Sequence, residues 1–150
     1  MTPNSATTFP TPADRPQADV VLFDGQCNFC CRQMERLQWW DGGAQLAYLS
    51  IHDPTVAQRW PDLSHQRLLR EMCVVEQPAG QDTSAPRYWG ADAVRYLSRR
   101  LPRLRWLAPL LRVPGMMLLA RPAYRLVARN RYLIGGKRVE CDSDACALHR

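Results

Sequence analysis

The sequence predicts an α/β fold, a small mixed sheet flanked by helices, with an extra C-terminal helical segment. Three observations point there. Val20, Val21, Leu22 and Phe23 form a buried-strand run that Asp24-Gly25 breaks, and a stretch free of Pro and Gly follows from Asn28 to Trp40. A second apolar run over residues 45–51 comes after the Asp41-Gly42-Gly43 stop, completing a strand, helix, strand unit. Two further short strand signals, over 72–76 and 87–89, lead into another helical pattern.

Residues 1–18 carry Pro3, Pro10, Pro12 and Pro16 among Thr, Ser and Asn, with little to bury, and are expected to form a disordered leader. The remainder, 19–150, is expected to be one domain; the 150 residues suffice for a core without disulfide staples. In the first helix Cys27, Cys30, Cys31, Met34 and Leu37 recur at three- and four-residue spacing, so the cysteines fall in the first turn on the inner face. The strand, helix, strand order implies a parallel pair with a right-handed crossover. A helical stretch opened by His52-Asp53-Pro54 is interrupted by Pro61 and resumes over 63–71, with Leu68 and Leu69 inward. His52 and His65 read as surface or capping residues. The strands at 72–76 and 87–89 are expected to pair as an antiparallel hairpin. A helix over about 93–101 buries Ala93, Val94, Leu97 and Leu101. This order, βαβ, helix, ββα, is that of a thioredoxin-like domain.

The extension, about 102–134, reads as short helices over 104–111, 116–120 and 122–132, punctuated by Pro109, Pro114-Gly115 and Pro122. Arg103, Arg105, Arg112 and Arg121 leave no uncharged run near the roughly 20 residues of a membrane span. Two roles remain for its apolar residues: capping the open side of the sheet, the simpler one, or contacting a membrane surface through Trp106, Leu107, Leu110 and Leu111. The net charge of +6 is uneven, since residues 93–139 contain basic side chains and no acid. No nucleic-acid recognition motif accompanies that charge, so nucleic acid is not the expected partner. Six cysteines and no secretory pattern before Asp19 point to a reducing, cytoplasmic setting.

The chemistry is carried by Cys27 and Cys30. A helix N-terminus offers unpartnered N–H groups and roughly half a positive charge, which favour a thiolate. A free cysteine titrates near about 8.5, and Cys-x-x-Cys pairs in this position fall to about 3.5–7.5. Such a pair suits dithiol–disulfide exchange, with Cys27 attacking and Cys30 resolving. The alternatives are plain packing, or a zinc-bearing interaction module in which Cys27 and Cys30 join Cys141 and Cys146 of the tail as four thiolates. Under the redox reading Cys141 and Cys146 are a second dithiol or free surface thiols. Asp24 either accepts a proton from Cys30 or caps the helix. Arg129, Asn130 and Arg131 either bring positive charge or hydrogen bonds toward the dithiol, meet an anionic part of a substrate, or satisfy helix-terminal carbonyls. No cofactor is expected.

Three separated motifs then coincide: Phe23-Asp-Gly-Gln-Cys-Asn-Phe-Cys30, Trp89-Gly-Ala-Asp-Ala93 and Tyr124-Arg-Leu-Val-Ala-Arg-Asn-Arg-Tyr132. Together they resemble the DCC family of predicted thiol-disulfide oxidoreductases, named for an Asp and two Cys. The resemblance spans roughly 20–146 and implies a thioredoxin-like fold with Asp24, Cys27 and Cys30 as signature residues. It also implies a disulfide-bearing protein or small thiol as substrate, and a reductant of unknown identity. Two departures stand out. Family members often have His after the Met opening the third strand, where Cys73 follows Met72 here. No proline lies between Pro61 and Pro78, so the cis-proline that shapes the peptide groove of thioredoxins is missing.

Overall fold

The computed structural model describes residues 9–42, 44–77 and 85–137. Its sheet has the order β2-β1-β3-β4, with β1 Asp19–Phe23, β2 Leu46–Ser50, β3 Cys73–Val75 and β4 Arg87–Trp89. β1 and β2 are parallel, joined by α1 (Asn28–Trp40), whereas β1–β3 and β3–β4 are antiparallel. The mixed sheet and its flanking helices are consistent with the expected thioredoxin-like arrangement.

Alternation along β1 divides the core in two. Val21 and Phe23 join Tyr48, Val74, α1 residues Cys31, Met34 and Leu37, and Leu97 of α4 (Gly90–Arg100). Val20 and Leu22 join Leu49, Cys73 and Val75 with Val56 of α2 (Pro54–Arg59) and Leu68 of α3 (His65–Leu68). Both faces of β1 are therefore covered, which explains its unbroken apolar run. Asp19 at its start is fully buried but satisfied, accepting from Tyr96 Oη at 2.9 Å, Arg100 Nε at 3.2 Å and the Gln77 N–H at 3.1 Å.

Residues 9–18 depart from the expected leader. Phe9 sits 5.4 Å from the rings of both Phe23 and Tyr48, the Tyr48 N–H donates to Pro10 O, and Arg15 reaches Asp41 and Leu46 O. One aromatic side chain and one arginine suffice to dock a proline-rich segment whose composition alone reads as unstructured.

The extension also differs from its expected form. Pro102–Leu104 is a 3-10 turn, α5 covers Leu107–Arg112, and the two helices expected at 116–120 and 122–132 are one, α6 (Met116–Gly135), with Pro122 inside it. The carbonyl that loses its donor to Pro122 belongs to Leu118, whose residue is 74% exposed, so water can take the donor's place. α6 lies across α1 and α4 rather than on the sheet. Leu107 and Leu111 turn inward, leaving Trp106 and Leu110 exposed, so the four-residue face expected on α5 is split. No helix is long and apolar enough to cross a membrane.

Candidate active site

The site forms where β1 hands over to α1. Gly25 keeps the intervening turn close to β2: a Cβ there would lie 2.6 Å from Ser50 Oγ and 3.1 Å from its Cβ, so Ser50 would have to shift. Cys27 is the N-cap of α1, with extended backbone (φ −99°, ψ 113°), and its Sγ accepts the Cys30 N–H at 3.4 Å. The two thiols thus share one helical turn, and both are free. Their surroundings differ. Cys30 is half-buried and lines a cavity of about 90 Å³ with Phe23, Met72, Tyr124 and Arg131, while Cys27 is fully buried. The cover over Cys27 is the end of α6: Lys137 bridges to Cys27, the Asn28 N–H donates to Gly136 O at 3.3 Å, and a Cβ on Gly135 would lie 2.5 Å from Phe29 N. The attacking sulfur expected from the sequence is therefore beneath a chain segment, and Cys30 is the one facing the cavity.

Asp24 gathers four partners. Its Oδ1 accepts the Gln26 N–H at 3.0 Å and lies 3.0 Å from His52 Nε2; its Oδ2 accepts from Arg131 Nη2 at 3.0 Å and from the Tyr132 hydroxyl. Burial pushes this carboxyl upward, but the Tyr132, His52 and Gln26 hydrogen bonds and the Arg131 charge outweigh it and hold Asp24 below its ordinary value. Arg131 also donates to Leu69 O, so the buried ion pair ties α6 to α3 as well as to the turn. Burial raises the Cys30 thiol well above its ordinary 9.0, and Cys27 adds to the rise while Arg131 opposes it. The Met72 N–H donates to Tyr124 Oη at 3.1 Å, closing the cavity beside β3.

Asp24, Cys27, Cys30 and Arg131 are thus brought together. Asp24 does not cap α1, since its oxygen takes the Gln26 amide in the turn before it. Arg131 is buried in its ion pair with Asp24 and borders the Cys30 cavity. Asn130 donates to Leu126 O of its own helix at 3.0 Å, and exposed Arg129 lines an open groove with Arg70 and Arg125 that Arg131 and Tyr132 also border. Cys31 and Cys73 are packing residues; burial lifts the Cys73 thiol to about 12. Cys141 and Cys146 lie outside the described residues, and with them the four-thiolate zinc set; among the described residues no three His, Cys, Asp or Glu side chains are grouped to hold a metal.

Two members of the cluster are absent from the sequence expectation. His52, expected at the surface without a partner, contacts Asp24 and stands 5.7 Å from the His65 ring. Tyr132 closes the third motif and its hydroxyl is on Asp24. The signal for Tyr132 was its place in that motif, whereas His52 lies two residues after β2, whose parallel pairing with β1 brings it beside Asp24.

No curated protein and no solved structure gives a significant match to the chain. A family model does, over residues 21–137, a span that begins in β1, takes in the dithiol and Asp24 cluster, and ends at the Lys137 bridge. By that match the chain belongs to the DCC1-like thiol-disulfide oxidoreductase family.

Proposed function

We propose that the protein carries out thiol–disulfide exchange with Cys27 and Cys30 as its redox pair. The observation that carries this reading is the Cys30 N–H aimed at Cys27 Sγ at the start of α1, which puts two free thiols within one turn and directs helix N–H density at the first. The Cys27 thiolate attacks one sulfur of a substrate disulfide; a mixed disulfide forms and the substrate's other sulfur leaves as a thiolate. Cys30 then loses its proton to water at the cavity mouth and attacks the Cys27 sulfur. The Cys27–Cys30 disulfide closes and the second substrate thiolate departs, so the substrate gains the two electrons that the pair loses.

Within this reading Arg131 has an electrostatic task, since its charge opposes the other influences that disfavour a Cys30 thiolate. Asp24 serves as the anchor that positions Arg131, His52 and Tyr132. A carboxylate held below its ordinary range is a weak base, which argues against its taking the Cys30 proton. Cys27 becomes reachable when residues 135–137 part from α1. The Met72 amide, already engaged by Tyr124, is not available to pair with an extended peptide, which supports a small disulfide over a peptide bound along β3.

The test is a redox titration of the full chain against defined thiol–disulfide buffers, read by alkylation and peptide mass, with zinc content measured in the same sample. A two-electron transition confined to Cys27 and Cys30, together with a mixed disulfide trapped on Cys27 in Cys30→Ser, is the expected result. Absence of that transition, or about one zinc per chain that is lost on Cys27→Ser, would overturn it.

A further inference from the structure

α6 has one face packed against the protein and, opposite it, an exposed apolar one. Its inner face packs through Tyr124, Ala128, Arg131 and Gly135, at the four- and three-residue steps of one helical stripe. Opposite them, Leu119, Leu126 and Leu133 recur every seven residues, two turns apart, and are 68%, 64% and 86% exposed. Isolated exposed leucines are ordinary, but a row of them along a 20-residue helix is not. Arg121, Arg125 and Arg129 recur every four residues along one flank of this row. Two of them keep contacts inside the protein, Arg121 with Asp92 at 3.1 Å and Arg125 with Glu71 at 3.9 Å, yet both side chains remain more than half exposed.

We propose that the outer face of α6 is a docking surface for an anionic lipid membrane, lying in the interface plane with its leucine row among the acyl chains and its arginine row at the headgroups. Charge decides the occupant. Asp92 and Glu71 reach only Arg121 and Arg125 of this row and no acid occurs between residues 93 and 139, so a second copy pairing through this face would bring it no further counter-charge, whereas an anionic bilayer supplies counter-charge together with apolar depth. A row of leucines has no use for a nucleic-acid backbone, which offers charge but no apolar layer. The contact is peripheral, since no helix is long and apolar enough to span a bilayer.

The experiment is flotation of the full chain with vesicles of phosphatidylcholine alone, and of phosphatidylcholine with about 30% phosphatidylglycerol, at about 0.05 M and about 0.5 M salt. Binding to the anionic vesicles that weakens at high salt is expected. Leu126→Gln should lower the partition coefficient roughly tenfold, and Arg129→Gln should lower it on anionic vesicles only. Because both side chains project into solvent, the variants should keep the wild-type circular dichroism and melting temperature. No binding to anionic vesicles, equal binding to neutral ones, or a dimer in light scattering that Leu126→Gln dissolves would overturn the proposal, the last by assigning the face to a second copy.

Discussion

Arg131 Nη2 donates to Asp24 Oδ2 at 3.0 Å, an ion pair across 107 positions of sequence with the carboxylate wholly shielded from solvent and the guanidinium 8% exposed. This pair fastens α6 to the turn that carries the dithiol. Burying both charges is costly, and the cost is offset only because Tyr132, His52, the Gln26 amide and Leu69 O satisfy the remaining hydrogen-bonding capacity.

Removing one partner should therefore cost far more than the pair's net contribution. Arg131→Met is expected to destabilise the fold by about 3–5 kcal/mol, because it leaves a buried carboxylate without its cation. The double variant Arg131→Met with Asp24→Leu should recover part of that loss. Urea unfolding of the wild type, Arg131→Met, Asp24→Leu and the double variant checks this; equal losses in Arg131→Met and the double variant would show that packing and not charge carries the effect.

The same carboxylate sets a pH dependence. Asp24 is held below its ordinary value of 3.8 in the fold, so the native state binds fewer protons there than the unfolded chain does. Its stabilising contribution is complete above the unfolded value and is lost as pH falls through the folded one. The stability gap between wild type and Asp24→Asn should stay level from about pH 7 to about pH 5 and narrow below about pH 4. A gap that holds constant down to about pH 3 would mean that Asp24 is not the group being protonated.

The strand-to-helix junction is readable from residues 20–40 alone, because β-branched run, Asp-Gly turn and helical cysteine spacing are all local. The partners of Asp24 are not. His52 and Arg131 reach it only after β2 has paired with β1 and α6 has crossed α1, and nothing in a periodicity reports such a meeting. Pro122 misleads for a related reason: it is a local break signal that an exposed helix, packed along its other face, overrides. Phe9 likewise gains its meaning from two rings distant in sequence.

Gly90 explains one motif physically. It takes φ +49°, in the left-handed region, and a Cβ there would stand 3.0 Å from Tyr124 Cε1, so the glycine lets α6 approach the start of α4. Gly90→Ala is expected to cost about 2 kcal/mol through backbone strain and displacement of the tyrosine ring. Amide exchange at Met72, whose N–H is held by the Tyr124 hydroxyl, should accelerate in that variant. An unchanged Met72 amide would show that the ring tolerates the methyl group in place.

Gly135 is where fold and chemistry meet most directly. The close approach of its backbone to Phe29 N leaves no room for a side chain, and the adjoining Gly136 and Lys137 complete the cover over Cys27. A methyl group at 135 meets rigid helix backbone, not a flexible side chain, so the end of α6 must move away from α1. The Asp24–Arg131 pair, one helical turn earlier, should still hold the rest of α6 in place. Gly135→Ala is thus expected to raise the rate of Cys27 alkylation by roughly tenfold or more, a shift of about 1.4 kcal/mol in the opening equilibrium, while Cys31 and Cys73 in the core stay slow. Pulsed alkylation with peptide mapping separates the three thiols. If Cys27 reacts no faster in Gly135→Ala, or if all three accelerate together, the Gly135–Phe29 contact does not gate the dithiol, and access to Cys27 depends on opening elsewhere in the fold.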